Sequence, residues 1–353
     1  MKIVALIPAH NEEQSIASTI EALLAQKRVP DKIVVLPDNC TDNTVKAAGR
    51  YPIIVAPTKD NKHKKSGALN YGWREFGQDA DVIICLDADT ILPPNAIGDW
   101  EKEMINDGNL GGSSSKFTMQ DPGLLTRLQK AEFSKWTDTS LRRGWTSVLA
   151  GTGCAIRNSV LKEIVASDDR EGPWSYHSQV EDFELTYLIR KRGFNCWVSP
   201  TVRAYTDSMK SIKTLWNQRM KWQVGTVEDL MSIGFNKLTM LDWWQQALGL
   251  IAALSRVLWV MVIIASIALG TFALQPLWLI LPFVFVANDL KAANRIPHRD
   301  WKDMLLAGLL IPQEIFCWMR AGWFLRAWFD VLVGKFTGKR KDRWALQYKA
   351  EGI

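Results

Sequence analysis

Two carboxylates one residue apart, Asp87 and Asp89 in Asp87-Ala88-Asp89-Thr90, stand directly behind the apolar run Val82-Ile83-Ile84-Cys85-Leu86. A short continuous apolar run of this kind predicts a strand buried in a parallel sheet. The carboxyl ends of such strands are where open α/β sheets place ligands. Hard oxygen donors in that position suit Mg²⁺ or Mn²⁺, ions that keep several waters and bridge to substrate phosphates. The segment therefore reads as a site for a metal ion holding a nucleoside diphosphate. Asp-x-Asp also occurs as a helix cap or a solvated turn, so the surrounding elements and motifs decide its chemistry.

The elements needed to position these carboxylates are legible up to about residue 205. Strands are predicted at Lys2–Ile7, Lys32–Leu36, Ile53–Val55 and Val82–Leu86, and later at Val148–Ala150 and Asn195–Val198. Between them lie predicted helices at Asn11–Gln26, where Ile16, Ile20, Leu23 and Leu24 recur at helical spacing, and at Ser66–Phe76, Leu124–Arg142 and Glu181–Arg192. Alternation of strand and helix predicts an α/β fold, a mostly parallel sheet with helices on both faces. The apolar stretch at the N-terminus is too short for a signal peptide and reads as the first strand. Beyond Tyr205 the pattern turns helical, and two regions are expected, residues 1–235 and 236–353.

Charge is unevenly spread over the 353 residues, whose formal net charge is +6. Residues 244–287 contain one charged side chain, Arg256, whereas 335–349 hold Lys335, Lys339, Arg340, Lys341, Arg343 and Lys349 against Asp342. Ala247–Gly270 is long enough to span a bilayer, with Arg256 in its first half where it could snorkel. Phe272–Ala287, interrupted by Pro276 and Pro282, reads as a returning or re-entrant segment. The basic residues Lys291, Arg295, Arg299 and Lys302 that follow resist translocation and predict an even number of crossings. Met304–Val333, broken at Pro312, reads as interfacial helix, with the basic tail on anionic headgroups at the cytoplasmic face. The 17 tryptophans crowd the C-terminal third, as membrane interfaces favour. Basic residues and aromatics also serve nucleic acid binding, but no recognition motif accompanies them, and nucleic acid is not an expected partner. The five cysteines contain no Cys-x-x-Cys pair, which argues against a zinc site or disulfide framework and for a reducing compartment.

Further motifs stand in a recognisable order. Ile7-Pro8-Ala9-His10-Asn11-Glu12-Glu13 follows the first strand, and Asp38-Asn39-Cys40-Thr41-Asp42 the second. Lys65-Ser66-Gly67-Ala68-Leu69-Asn70 opens the third helix, Gly151-Thr152-Gly153 follows a late strand, and Glu181-Asp182 begins a helix. Gln218-Arg219-Met220-Lys221-Trp222 closes this part. Order and spacing over roughly residues 1–230 resemble the family-2 inverting glycosyltransferases of Rossmann-like GT-A fold, in particular the membrane-bound branch that includes cellulose, chitin and hyaluronan synthases. The resemblance implies a nucleotide-sugar donor, UDP-linked by expectation, and a lipid, glycan or protein acceptor. It implies that Pro8, Ala9, His10, Glu12 and Asp38 line the nucleotide pocket and that Lys65 meets a phosphate. Asp87 and Ala88 would face the ribose and diphosphate, Asp87 and Asp89 would hold Mg²⁺ or Mn²⁺, and Asp182 would be the catalytic base. Gly151, Thr152, Gly153, Glu181, Gln218, Arg219 and Trp222 would serve the acceptor and the diphosphate.

Two departures qualify the resemblance. Pro37 stands where many relatives carry a second Asp, and Lys221 stands where the Gln-x-x-Arg-Trp signature of the synthase branch has Arg, keeping charge but losing bidentate phosphate geometry. With few membrane segments, the Lys221 substitution argues against processive polymer synthesis. Two other readings stay open on the residues: a catalytically inactive membrane scaffold with the same fold, and a haloacid-dehalogenase-type phosphatase in which the first Asp is the nucleophile.

Overall fold

The computed structural model describes residues 1–273 and 280–352. The chain divides into two compact units, one of Met1–Asp121 with Trp136–Ser208 and one of Pro122–Lys135 with Met209–Ile353. In the first unit the order is β1 (Ile3–Ala9), α1 (Ile16–Leu24), β2 (Lys32–Pro37), α2 (Thr44–Ala48), β3 (Ile54–Val55), α3 (Lys64–Phe76), β4 (Val82–Cys85), α4 (Ala96–Asn106) and β5 (Leu110–Met119). Helix α5 (Leu124–Arg143) groups with the second unit up to Lys135; β6 (Cys154–Arg157), α6 (Asn158–Ser167), α7 (Glu181–Lys191) and β7 (Asn195–Thr206) complete the first. The seven strands form one sheet in the order β3-β2-β1-β4-β6-β5-β7. All neighbours pair in parallel except β6, which runs antiparallel to both β4 and β5. The mixed, mostly parallel α/β sheet expected from the alternation is present.

Strand β1 is buried along nearly its whole length because the sheet is covered on both faces. Its residues Val4 and Leu6 join Val34 and Leu36 of β2, Ile83 and Cys85 of β4, and Trp73 of α3 in one core cluster with apolar residues of α6 and α7. One buried polar side chain ties this layer together. Asn158 accepts from the Trp73 indole at 2.8 Å and donates to the carbonyls of Gly77 and Ala80, each at 2.8 Å. Asn158 thus anchors the carboxyl end of α3, the helix whose first turn carries Lys65.

Three predicted elements differ from the sequence reading, and one strand, β5, is not among those predicted. Val148–Ala150 is not a strand, because its backbone donors go to side chains: Leu149 N–H to Thr186 Oγ1 at 2.8 Å and Ala150 N–H to Ser114 Oγ at 3.1 Å. The strand nearby is β6. Strand β5, Leu-Gly-Gly-Ser-Ser-Ser-Lys-Phe-Thr-Met, has loop-like composition and is held extended by pairing with β6 and β7. Strand β7 continues past Val198 to Thr206, with a register shift against β5 between Ser114 and Lys116. Helix α1 begins at Ile16 rather than Asn11, since Asn11 is left-handed (φ 56°) and its Oδ1 accepts from Thr41 N–H at 2.8 Å.

The second unit is helical: α8 (Ile212–Ile233), α9 (Met240–Ala268), α10 (Ile280–Ala293), α11 (Trp301–Gly308), α12 (Leu310–Thr337) and α13 (Arg343–Glu351). Its core joins Leu215, Met220 and Val224 of α8 to Phe316, Trp323 and Ala327 of α12. Helix α9, which contains most of the predicted Ala247–Gly270 span, is the one described helix long and apolar enough to cross a membrane, and its side chains are left largely uncovered. Helices α11 and α12 pass the same test as a pair bent by 75°. That break falls at Leu309, not at Pro312, which sits in the first turn of α12 where the missing N–H costs nothing. Arg256 pairs with Glu314 of α12 at 2.5 Å rather than reaching an interface alone. Of the predicted Phe272–Ala287 segment, residues 274–279, including Pro276, lie outside the described residues, and the chain is helical from Ile280.

Replacing Asn158 with Ala leaves the Trp73 indole N–H and the Ala80 carbonyl without this partner and the Gly77 carbonyl with Ala80 N–H alone. The expected cost is on the order of 3 kcal/mol, each orphaned group contributing about 1–3 kcal/mol non-additively. Trp73→Phe, which orphans one acceptor, should cost less. Thermal melts of the two variants check this, and an Asn158→Ala loss no larger than that of Trp73→Phe would contradict the anchoring role.

Candidate active site

In the sheet, β1 is flanked by β2 on one side and β4 on the other, so the chain reverses direction of winding at this point. The crevice outside the carboxyl ends of β1 and β4 is the place such sheets bind ligands. The loop after β1 supplies His10 and Glu12, the loop after β2 supplies Asp38, and the loop after β4 supplies Asp87 and Asp89. Pro8 and Ala9 are the last residues of β1, in register with Leu36 and Pro37. Asp38 is buried, and its Oδ1 accepts from Thr58 Oγ1 at 2.5 Å and Asn61 Nδ2 at 2.8 Å. Its carbonyl oxygen accepts from His10 Nδ1 at 2.6 Å. The first two loops are therefore locked to each other before any ligand arrives.

Charge is concentrated beside this pocket. Lys65, in the first turn of α3, reaches Asp87 at 2.5 Å and Glu181 at 3.8 Å. Burial disfavours its ammonium, but Asp87, Glu181 and Asp182 together outweigh that cost and raise its pKa. Asp89 accepts from Thr206 Oγ1 at 2.9 Å and Asp207 N–H at 3.3 Å. Its carboxyl is pushed up to about 6, by burial first and then by Asp87. Glu12 is pushed up to about 8, by burial and then by Asp89, Asp87 and Asp207, against a hydrogen bond from Ser15 that works the other way. Ala88 is buried between the two aspartates, and its carbonyl takes the Thr19 hydroxyl at 2.8 Å.

The remaining predicted residues of the first unit gather on the same cluster. Gly151 lies so close to Lys65 Nζ that a Cβ there would collide with it, and Asp87 is next nearest. Gly153 has a φ of 156°, and the Thr152 hydroxyl between the two glycines is buried without a hydrogen-bond partner. Glu181 is buried at the start of α7; Asp182 follows it and accepts from Phe183 N–H at 2.9 Å. Gln218, Arg219 and Trp222 stand on α8 in the second unit and form a cluster of their own. The Arg219 guanidinium bonds Glu132 at 2.9 Å and Gln218 at 2.8 Å and lies 4.4 Å from the Trp222 ring centroid. Lys221 lies 3.2 Å from the Trp344 ring centroid. The sequence reading missed Thr206 and Asp207, because the predicted strand ended eight residues before the end of β7.

Among the described residues, no three His, Cys, Asp or Glu side chains enclose a common point as a ready-made cation cage. The donor chemistry nevertheless fits a divalent ion. Mg²⁺ and Mn²⁺ are commonly held by one or two carboxylates with substrate phosphates completing the shell. The carboxyls of Glu12 and Asp89 are raised by burial first and by neighbouring carboxylates second, and a bound cation would relieve both.

Residues 4–165 match the family described as "Glycosyl transferase family 2". The probable glycosyltransferase YdaM of Bacillus subtilis (strain 168) is 29% identical over 240 residues, covering 64% of this chain and 55% of that protein. The poly-beta-1,6-N-acetyl-D-glucosamine synthase of Staphylococcus aureus (strain COL) is 23% identical over 245 residues, covering 67% of this chain and 57% of that protein. The chain thus spans a little over half the length of these curated relatives. Among solved structures, mannosyltransferase PcManGT from Pyrobaculum calidifontis, in complex with GDP-Man and Mn²⁺, has the same fold at a TM-score of 0.60 and 16% identity. The match covers 94% of this chain and 87% of that one.

Glu12 gives a pH signature in metal-free protein. Its ordinary value is 4.5 and its folded value about 8, so between these the folded state retains a proton that the unfolded state has lost. Stability must then fall as pH rises through that window. In EDTA, the melting temperature of the protein should decline from about pH 5 to pH 8 more steeply than that of Glu12→Gln, and Mn²⁺ at pH 8 should restore part of the loss. Parallel profiles for the two proteins would rule out a Glu12 that keeps its proton in the folded state.

Proposed function

We propose that this chain belongs to glycosyl transferase family 2, on the match of residues 4–165 and the fold it shares with a mannosyltransferase, and that it is a metal-dependent inverting transferase moving a sugar from a nucleotide donor, UDP-linked, to an acceptor hydroxyl. The observation that carries this reading is the convergence of Lys65, Asp87, Asp89, Glu181 and Asp182 at the crevice beside β1 and β4. Asp38, fixed through Oδ1, is suited to accept a hydrogen bond from a base ring N–H. Lys65 takes a phosphate oxygen, and Asp87 and Asp89 hold Mg²⁺ or Mn²⁺. When bound, that ion supplies charge stabilisation to the departing nucleoside diphosphate.

Inversion needs one base and no protein nucleophile. Asp182 takes the proton of the acceptor hydroxyl as its oxygen bonds the anomeric carbon and the bond to the diphosphate breaks. Lys65 supplies the positive charge beside Asp182. The acceptor belongs to the lipid, glycan or protein class; a relative named for a polysaccharide of N-acetylglucosamine supports an N-acetylhexosamine or hexose as the transferred sugar.

Helix α9 attaches the protein to a bilayer by this reading, with the first unit and the basic tail on the cytoplasmic side. The Arg256–Glu314 pair supports the membrane assignment, because an ionisable residue within an apolar span requires a partner.

Asp182→Asn keeps shape but cannot accept a proton, so transfer should fall roughly 10²–10⁴-fold while Mn²⁺-dependent UDP binding stays intact. Asp89→Ala should lose that UDP binding along with the activity. Calorimetry with UDP and Mn²⁺, paired with a transfer assay over a panel of nucleotide sugars, separates the two roles; UDP binding undiminished by both Asp89→Ala and EDTA would overturn the metal assignment. For topology, thiol labelling of cysteines introduced at the exposed positions 108 and 345 in sealed vesicles should mark both from the same side. Labelling from opposite sides would mean an odd number of crossings.

A further inference from the structure

Helix α12 ends at Gly338, in the left-handed conformation (φ 67°), and Asp342 then caps α13 by accepting from Ala345 N–H at 3.0 Å. Helix α13 packs on α8, which brings the basic tail back beside α12. There three cations share one carboxylate. Arg343 pairs with Asp330, Lys341 reaches it at 3.1 Å, and Arg326, one turn earlier on α12, at 3.4 Å. The Arg343 and Asp330 side chains are buried, whereas those of Arg326 and Lys341 are 53% and 54% exposed. The two exposed cations border a cavity of about 700 Å³ that Trp216 and Met220 also line; with Lys349 and Asp342 in the same lining, four cations face two carboxylates there.

The depth of this cavity follows from its neighbours in the same unit. Trp328, two residues before Asp330, donates its indole N–H to Gln246 at 3.2 Å and lies 6.5 Å, centroid to centroid, from Trp243. Both partners stand in the first two turns of α9. At the other end of the contact, Glu314 meets Arg256. Sixteen residues of helix separate Glu314 from Asp330, about 24 Å at 1.5 Å per residue. The cation cluster is therefore level with the beginning of the apolar helix, where tryptophans and phosphate headgroups meet in a bilayer.

We propose that this cavity is a headgroup site for an anionic phospholipid, with a phosphate oxyanion held by Arg326 and Lys341 over the fixed Arg343–Asp330 pair. A free phosphate offers the same oxyanion, but the indole of Trp216 and the thioether of Met220 beside it suit an amphiphile. The inference rests on the membrane reading of α9 and adds a specific lipid class and specific residues to it.

The test is a thermal-stability titration of the full chain in neutral detergent micelles, with phosphatidylglycerol or phosphatidylcholine added. Phosphatidylglycerol should stabilise at a mole fraction roughly tenfold below that needed for phosphatidylcholine, as expected for two additional cation contacts. The double variant Arg326→Gln with Lys341→Gln should erase the preference. The single variant Lys341→Gln, at a half-exposed position, should weaken it by a few-fold and keeps the test open if the double variant folds poorly. Equal midpoints for the two lipids in the unaltered chain, or an unchanged preference in the variants, would overturn the proposal. Equal stabilisation by inorganic phosphate at matched concentration would also overturn it, in favour of a soluble-phosphate site. UDP binding with Mn²⁺ should be unchanged in the variants, so failure here leaves the transferase reading standing, and failure of the vesicle labelling leaves this titration valid.

Discussion

Lys65 is the cation around which five carboxylates gather at the head of this sheet. It sits on the first turn of α3, within reach of Asp87 and Glu181, with Asp182 adding to its field, while Glu12 and Asp89 feel the negative charge of Asp87. Burying any of these acids without a countercharge is costly, and the raised values at Glu12 and Asp89 record the part of that cost Lys65 does not offset. The arrangement is consequently unfinished as a purely protein structure. Under the proposed function, a divalent ion would bring the positive charge these carboxylates lack, and the donor's diphosphate would complete that ion's shell. Much else serves to keep Lys65 in place: Asn158 anchors the far end of its helix, and the absence of a side chain at Gly151 leaves room for its ammonium.

How much of this was legible in the sequence depended on how local the signal was. Strands β1, β2 and β4 are continuous apolar runs buried on both faces, and that unbroken apolarity gave them away. The loops behind them could be found by counting forward from those runs. Strand β5 was invisible because Gly-Gly-Ser-Ser-Ser has no strand propensity and is extended through pairing on both edges, a contact made between distant segments. The same blindness cost Thr206 and Asp207. Their place beside Asp89 depends on β7 running on past Pro200, which sequence rules treat as a strand end. Cysteine spacing was equally uninformative about proximity: Cys85 and Cys154, far apart in the chain, face each other across the β4–β6 pair as free thiols.

The helical unit shows a different limit. Composition revealed an apolar span, but not how its single charge is handled, because the partner Glu314 lies 58 residues away on another helix. Once paired, Arg256 ceases to be an anomaly that must reach an interface and becomes a fastening between α9 and α12. Pro312 misled for a related reason. Proline breaks a helix in its interior but is tolerated in a first turn, and the deciding fact is where the helix starts, which the 75° bend at Leu309 fixes.

Lys221 illustrates how a departure from a family pattern acquires a physical account. In the motif it replaces an arginine, and the natural reading is loss of a phosphate ligand. In the folded chain its ammonium lies on the Trp344 face of α13, while the neighbouring Arg219 is held by Glu132 and Gln218 against Trp222. A compact ammonium on a flexible stem reaches a ring face one helix away, and a single tryptophan suits its point charge. The substitution thus fastens the tail helix to α8. That contact in turn sets α13 beside α12, where the surplus of positive charge around Asp330 gathers. A residue that appears in the sequence as a weakened signature is, in the structure, part of what builds the basic cavity at the end of the apolar helix.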